Sequence, residues 1–266
     1  MRLLLALVIF ATLNASPAAA ADALAEARRF YNLGDYDAAA EYAREAIKVP
    51  GTAASGRLVL GRVLLELYRR SADHTDLIEA RDALRSVDAD ELGPSERVEL
   101  TIGVGEYLYL EDRFGIAAET FERVLDVSLR LGPEAHERVL DWWATALDRL
   151  ALSRPREIRG GIYARIVSRM EKELAEDPGS APAAYWLSAA LRGTGDLERA
   201  WHAARAGWIT ALLGRDRGAA LRADLDRLIV QGIIPERAAL LQPTDSKAVS
   251  TSMLAEWEAL KGAWSR

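Results

Sequence analysis

The chain has 266 residues, half of them hydrophobic, which is enough to bury a sizeable core in one large domain or a repeat array. Its net charge is −6 with acids and bases interspersed, so it lacks the basic stripe that nucleic-acid binding needs. It has no cysteine, which excludes a disulfide framework, a thiolate zinc site and an acylated lipoprotein cysteine.

The first element is an apolar run, Leu3 to Leu13, after the charged start Met1-Arg2. It is well short of the ~20 residues needed to span a bilayer. Asn14 to Ala20 supply the small residues of an Ala-x-Ala cleavage site. The expectation is a secretory signal peptide over 1–20, cut after Ala20 or Ala21, and a mature chain exported to a bacterial periplasm without stable membrane insertion. A buried first helix is the alternative, and Pro17 and the switch to charged sequence at Asp22 count against it.

Ala23, Ala27 and Phe30 then recur at helical spacing. Gly34-Asp35 breaks that helix, Tyr36 follows, and Ala39, Ala43 and Ala46 share one face of a second helix, stopped by Pro50. A second unit carries Leu60, Gly61 and Leu64. Its turn, residues 69–76, reads as about seven residues longer than Gly34-Asp35 before Leu77, Ala80, Leu84 and Val87 resume the pattern. Gly93-Pro94 closes it, with Ser95 as a candidate cap. The third unit has Gly105 and Leu108, a turn at Glu111-Asp112-Arg113, then Phe114, Ala117, Phe121 and Val124. The fourth has a strong amphipathic helix over 139–150, a long turn or break over 153–161 and a second helix over 162–176. The fifth has a helix around Ala184 to Leu191, a turn at 193–196, then Leu197, Ala200 and Ala204. Residues 219–230 and 235–241 read as a capping pair, 242–250 as a linker, and 251–266 as a final helix. That helix bears Met253, Leu254, Trp257, Leu260 and Trp264 on an apolar face that must dock, on the last helices or in the groove of the stack.

The Gly61 and Ala39/Ala43 positions and the roughly 34-residue helix–turn–helix period resemble the tetratricopeptide repeat. The resemblance covers 22–213 and allows insertions in the second and fourth turns; 21–241 is the expected repeat domain. A generic alanine-rich helical bundle is the bland alternative. The resemblance implies an all-α protein, a right-handed α-α superhelix (solenoid) of about five helix pairs with C-terminal capping helices, whose first helices line a concave face for a peptide or protein partner. Carried over by position, that face holds Arg28, Tyr31 and Asn32; Arg62 and Glu66; Glu99, Glu106 and Tyr109; Arg138, Asp141, Trp142, Thr145 and Asp148; and Tyr185, Trp186 and Arg192. Arg, Tyr and Trp are enriched at binding hot spots. Such a mixed, somewhat acidic face does not match the basic clamp by which the family holds peptide C-termini.

No residue pattern demands chemistry or a cofactor. Trp142 and Trp143 point to different faces, with Trp143 the one for the core; Trp186, Trp201 and Trp208 also suit helix packing. Asp73, His74 and Asp76 read as a solvated turn rather than a metal site, and His136 and His202 have no acid or nucleophile at a telling spacing. Asp141 and Asp148 share a helical face and leave open an envelope glycan-acting enzyme or small-molecule binder. The leading expectation is a non-catalytic adaptor.

Overall fold

The computed structural model describes residues 17–213 and 218–264, with side-chain surroundings from residue 22. Among these residues all regular structure is helical and there is no strand. The chain divides into two compact units, up to Tyr107 and from Leu108.

The first unit opens with α1 (Pro17–Leu33) and α2 (Tyr36–Ile47). Of the expected signal peptide, residues 1–16 lie outside the described residues; 17–20 are the start of α1. Gly34 takes the left-handed conformation at φ 75° between the helices, and the Asp35 carboxylate accepts the Ala38 N–H at 3.3 Å. The alanine face is as the spacing predicts: Ala27, Ala39, Ala43 and Ala46 are 0% exposed. Val59 and Val63 of α3 (Pro50–Ser71) complete this core.

The turn over 69–76 departs from expectation, because α3 runs on to Ser71 and α4 (His74–Arg85) begins three residues later. Arg69 and Arg70 occupy the last turn of α3, where cations complement the helix dipole. Ala72 adopts φ 57°, a position glycine usually fills, and Asp73 caps α4 through the Thr75 N–H at 2.9 Å. Inside this pair, Gly61 lets α4 approach: a Cβ there would lie 2.6 Å from Leu84 Cγ. Pro94 is the first residue of α5 (Pro94–Leu110) rather than a stop, and the cap expected from Ser95 is supplied by the Glu96 carboxylate, which accepts the Gly93 N–H at 3.0 Å.

In the second unit Asp112 takes φ 57° ahead of α6 (Phe114–Leu125), whose Ala117 and Phe121 are fully buried. α7 (Pro133–Leu152) follows. The expected long break after it is only 153–155, because Gly160 and Gly161 lie inside α8 (Arg156–Glu176). Two glycines cost about 2 kcal/mol of helix propensity, small for an element of six turns fixed by packing. α9 (Ala181–Thr194) ends on Gly195 at φ 86°, and Asp196 caps α10 (Leu197–Thr210). The expected capping pair has no turn: α11 (Ala219–Leu228) passes through a π-turn, Ile229–Ile233, into α12 (Ile234–Leu241). Pro235 lacks an N–H and crowds the turn before it, and the wider π-turn accommodates both. The final helix α13 starts earlier than expected and spans Ser246–Trp264. It seats against α10, α11 and α12, with Met253 and Trp257 buried.

Helices of a pair meet, α1 with α2, α3 with α4, α7 with α8, α9 with α10, and successive pairs join through α2 with α3, α6 with α7 and α8 with α9. Alternate helices also meet: α1 with α3, α7 with α9, and α9 with α11.

Candidate interaction faces

In the first unit the face of α1, α3 and α5 is organised by Arg62. Its guanidinium lies over the Tyr31 ring, 4.9 Å from the centroid, and donates to the Tyr31 hydroxyl at 3.1 Å and to Glu99 at 3.0 Å. Burial pushes the Tyr31 hydroxyl up to about 12; the Arg62 charge opposes that shift, and Glu106 and Glu66 add to it. Burial works against the Arg62 charge, but Tyr31, Glu106 and Glu99 outweigh it and hold the group protonated. Arg28 pairs with Glu96, which also accepts from Ser55 at 2.6 Å. Glu66 pairs with Arg69 at 3.0 Å, and Asn32 is exposed. Glu106, expected on an open face, is only 7% exposed because it turns in towards Tyr31 and Arg62.

In the second unit Tyr109 meets the edge of Trp142, centroids 4.9 Å apart, and Trp142 stacks on Phe121 at 6.1 Å. Both are therefore tied into the α6–α7 packing. Trp143 is 2% exposed, the core member of its pair. Trp186 is buried at 8%, because a step of 100° from Tyr185 turns it into the helix interface. Its indole N–H donates to Asp141 at 2.8 Å, and the Tyr163 hydroxyl donates to Asp148 at 2.8 Å. Tyr163 reaches that position because Gly193 leaves room: a Cβ there would lie 2.6 Å from the ring.

The exposed positions Arg138 and Asp141 and the half-buried Thr145, Asp148 and Tyr185 share the open side of α7 and α9. Asp141 keeps an open surface, yet burial raises its carboxyl; the Trp186 N–H partly offsets this and the Asp224 charge adds to it. Burial likewise raises the Tyr185 hydroxyl, with Asp224 and Asp148 adding to the effect. Arg192 forms a double ion pair with Glu236, at 3.0 and 2.6 Å. Seven residues of helix place Asp141 and Asp148 about 10.5 Å apart along α7.

One cluster is invisible in the sequence. His136 Nδ1 lies 2.8 Å from Ser128 Oγ and Nε2 lies 3.0 Å from Glu173, which in turn pairs with Arg169. The order serine, histidine, carboxylate is that of a hydrolase, but Ser128 is 0% exposed and its hydroxyl donates to the Leu125 carbonyl at 2.8 Å. The cluster ties the start of α7 to the end of α8. Asp73 and His74 serve the turn before α4, His74 lying against Tyr68 with centroids 5.6 Å apart. Among the described residues no group of three or more His, Cys, Asp or Glu could hold a metal ion, and no helix is long and apolar enough to cross a membrane.

No family model, curated protein or solved structure matches the sequence.

Proposed function

We propose that the chain is an exported tetratricopeptide-like α-solenoid that acts as a non-catalytic adaptor in the cell envelope. It binds a peptide or protein partner on the faces of its first helices. The observation that carries this reading is the alternation of the helices. Three in-pair turns, before α2, α4 and α10, end in the Asp caps Asp35, Asp73 and Asp196, those before α6 and α8 lacking a side-chain cap, whereas α3, α5 and α7 open on Pro50, Pro94 and Pro133. With α1 against α3 and α7 against α9, the odd-numbered helices form rows, which is how repeat pairs stack. The side chains these rows leave half-exposed are aromatic and charged, the types that dominate binding energy.

A photo-crosslinking amino acid placed at Tyr185 or Thr145, in the protein expressed in its own cells, tests the assignment. A reproducible partner captured at these positions, but not at the exposed Ile78 of α4, is the expected outcome. Capture from Ile78 and not from Tyr185 or Thr145 overturns it.

A further inference from the structure

Carboxylates set into the helix faces of this protein are, as a rule, given a cation. Glu96 has Arg28, Glu99 has Arg62, Glu173 has Arg169 and Asp226 has Lys261. Asp141 and Asp148 break that rule. Their hydrogen bonds come from an indole N–H and a phenol O–H, which fix the direction of each carboxylate without cancelling its charge. Among the described residues neither has an ion-pair partner. Of the nearby cations, Arg227 pairs with Asp224 at 3.2 Å and Arg192 with Glu236 at 2.6 Å, while Arg138, exposed one turn before Asp141, forms no ion pair with it. On the corresponding face of the first unit Arg62 pairs with Glu99 and Arg28 with Glu96, whereas on the open side of α7 and α9 Asp141 and Asp148 keep their negative charge. Burial raises the Asp141 carboxyl, so its ionised form is held at a cost that an arriving cation would relieve.

We propose that this α7–α9 face receives an extended basic peptide, whose Lys or Arg side chains supply the cations that Asp141 and Asp148 lack. This rests on the adaptor reading and names the chemistry of its partner. The roughly 10.5 Å of helix rise between the two positions is close to three residues of polyproline-II chain at ~3.1 Å each, a conformation that brings residues three apart to the same side. Basic residues three apart therefore fit, with the Tyr185 ring beside them available to a cation.

The test is fluorescence anisotropy of the full chain with a short labelled peptide carrying Lys-Ala-Ala-Lys, and with its Glu-Ala-Ala-Glu counterpart. The basic peptide is expected to bind, more weakly as salt rises, and the acidic one not to bind. Asp141→Asn with Asp148→Asn keeps both hydrogen-bond acceptors and should weaken binding about ten-fold or more. Asp90→Asn with Glu91→Gln removes the same charge from an exposed turn of the first unit and should change binding less than two-fold, roughly. Thr145→Lys guards against misfolding of the double variant. It lies four and three residues from the two acids, so it supplies the missing cation from within and should abolish binding without lowering Tm. Equal weakening by both double variants, or full binding to Thr145→Lys, overturns the proposal. If the basic peptide fails while crosslinking at Tyr185 still captures a partner, this inference falls and the adaptor reading stands. If both fail, both fall.

Discussion

Trp257 shows how a single residue anchors an element. It is 0% exposed, lies 5.5 Å from Trp208 and 6.4 Å from Trp201 by ring centroids, and donates its N–H to Asp226 at 2.8 Å. Lys261 donates to the same carboxylate oxygen at 2.7 Å. Burial works against the Asp226 charge, but the bonds from Lys261 and Trp257 and the charge of Lys261 outweigh it and hold the carboxyl below its usual range. A depressed acid contributes stability above its unfolded pKa, about 3.9, and loses it as pH falls towards the folded value. Tryptophan fluorescence should therefore change in an acid step beginning below about pH 4 as α13 loosens, and Asp226→Asn should remove that step. A step that persists in Asp226→Asn would assign it to another group. The sequence made α13 legible as an amphipathic helix but not its seat. Trp264 belongs to the same apolar series yet is 51% exposed, and Asp226 stands far back in the chain. The Ser128–His136–Glu173 cluster escaped for the same reason: its spacing has meaning only once the register of α7 on α8 is known.

At the scale of elements, alanine spacing and the turn at Gly34-Asp35 were readable, and the exact length of turns without glycine was less so. Ala72 and Asp112 hold left-handed positions; the turn at Glu111-Asp112-Arg113 reads where it lies, whereas the one at Ala72 reads as residues 69–76, too long. Conversely, the Gly160-Gly161 pair reads as a break and lies inside α8, because long-range packing overrides a local preference worth only about 1 kcal/mol per glycine. The π-turn joining α11 to α12 has no period of its own to detect. Glycines in helices thus divide into two kinds, and substitution separates them. At Gly61 a methyl meets Leu84, so Gly61→Ala should destabilise the first unit by about 1–3 kcal/mol despite its better helix propensity. At Gly160 a Cβ meets nothing within 4 Å, so Gly160→Ala should stabilise the second by roughly 0.5–1 kcal/mol. Urea midpoints measure both; a gain in stability at Gly61 would show that Leu84 moves aside freely.

At the scale of the whole molecule, the all-α class follows from composition and period. The division at Tyr107 does not, because Gly105 and Leu108 continue one helix across it. The export expected from residues 1–20 makes a direct prediction. The intact mass of protein recovered from its own cells should correspond to a chain beginning at Ala21 or Asp22; a mass that includes Met1 to Ala20 would sink it. The alternation of helices carries a further consequence. Apart from α13, which reaches back to α10, helices mostly meet the next element in the chain or the next but one, so most contacts close short loops. Chains wired this way fold in microseconds to milliseconds, and a helix pair can form before the following one has been synthesised. The proposed export, if it passes the chain through a channel as a linear thread, would set crossing in a race against this folding. In that case either the ribosome would feed the channel directly, or a holding chaperone would keep the pairs apart until they are across.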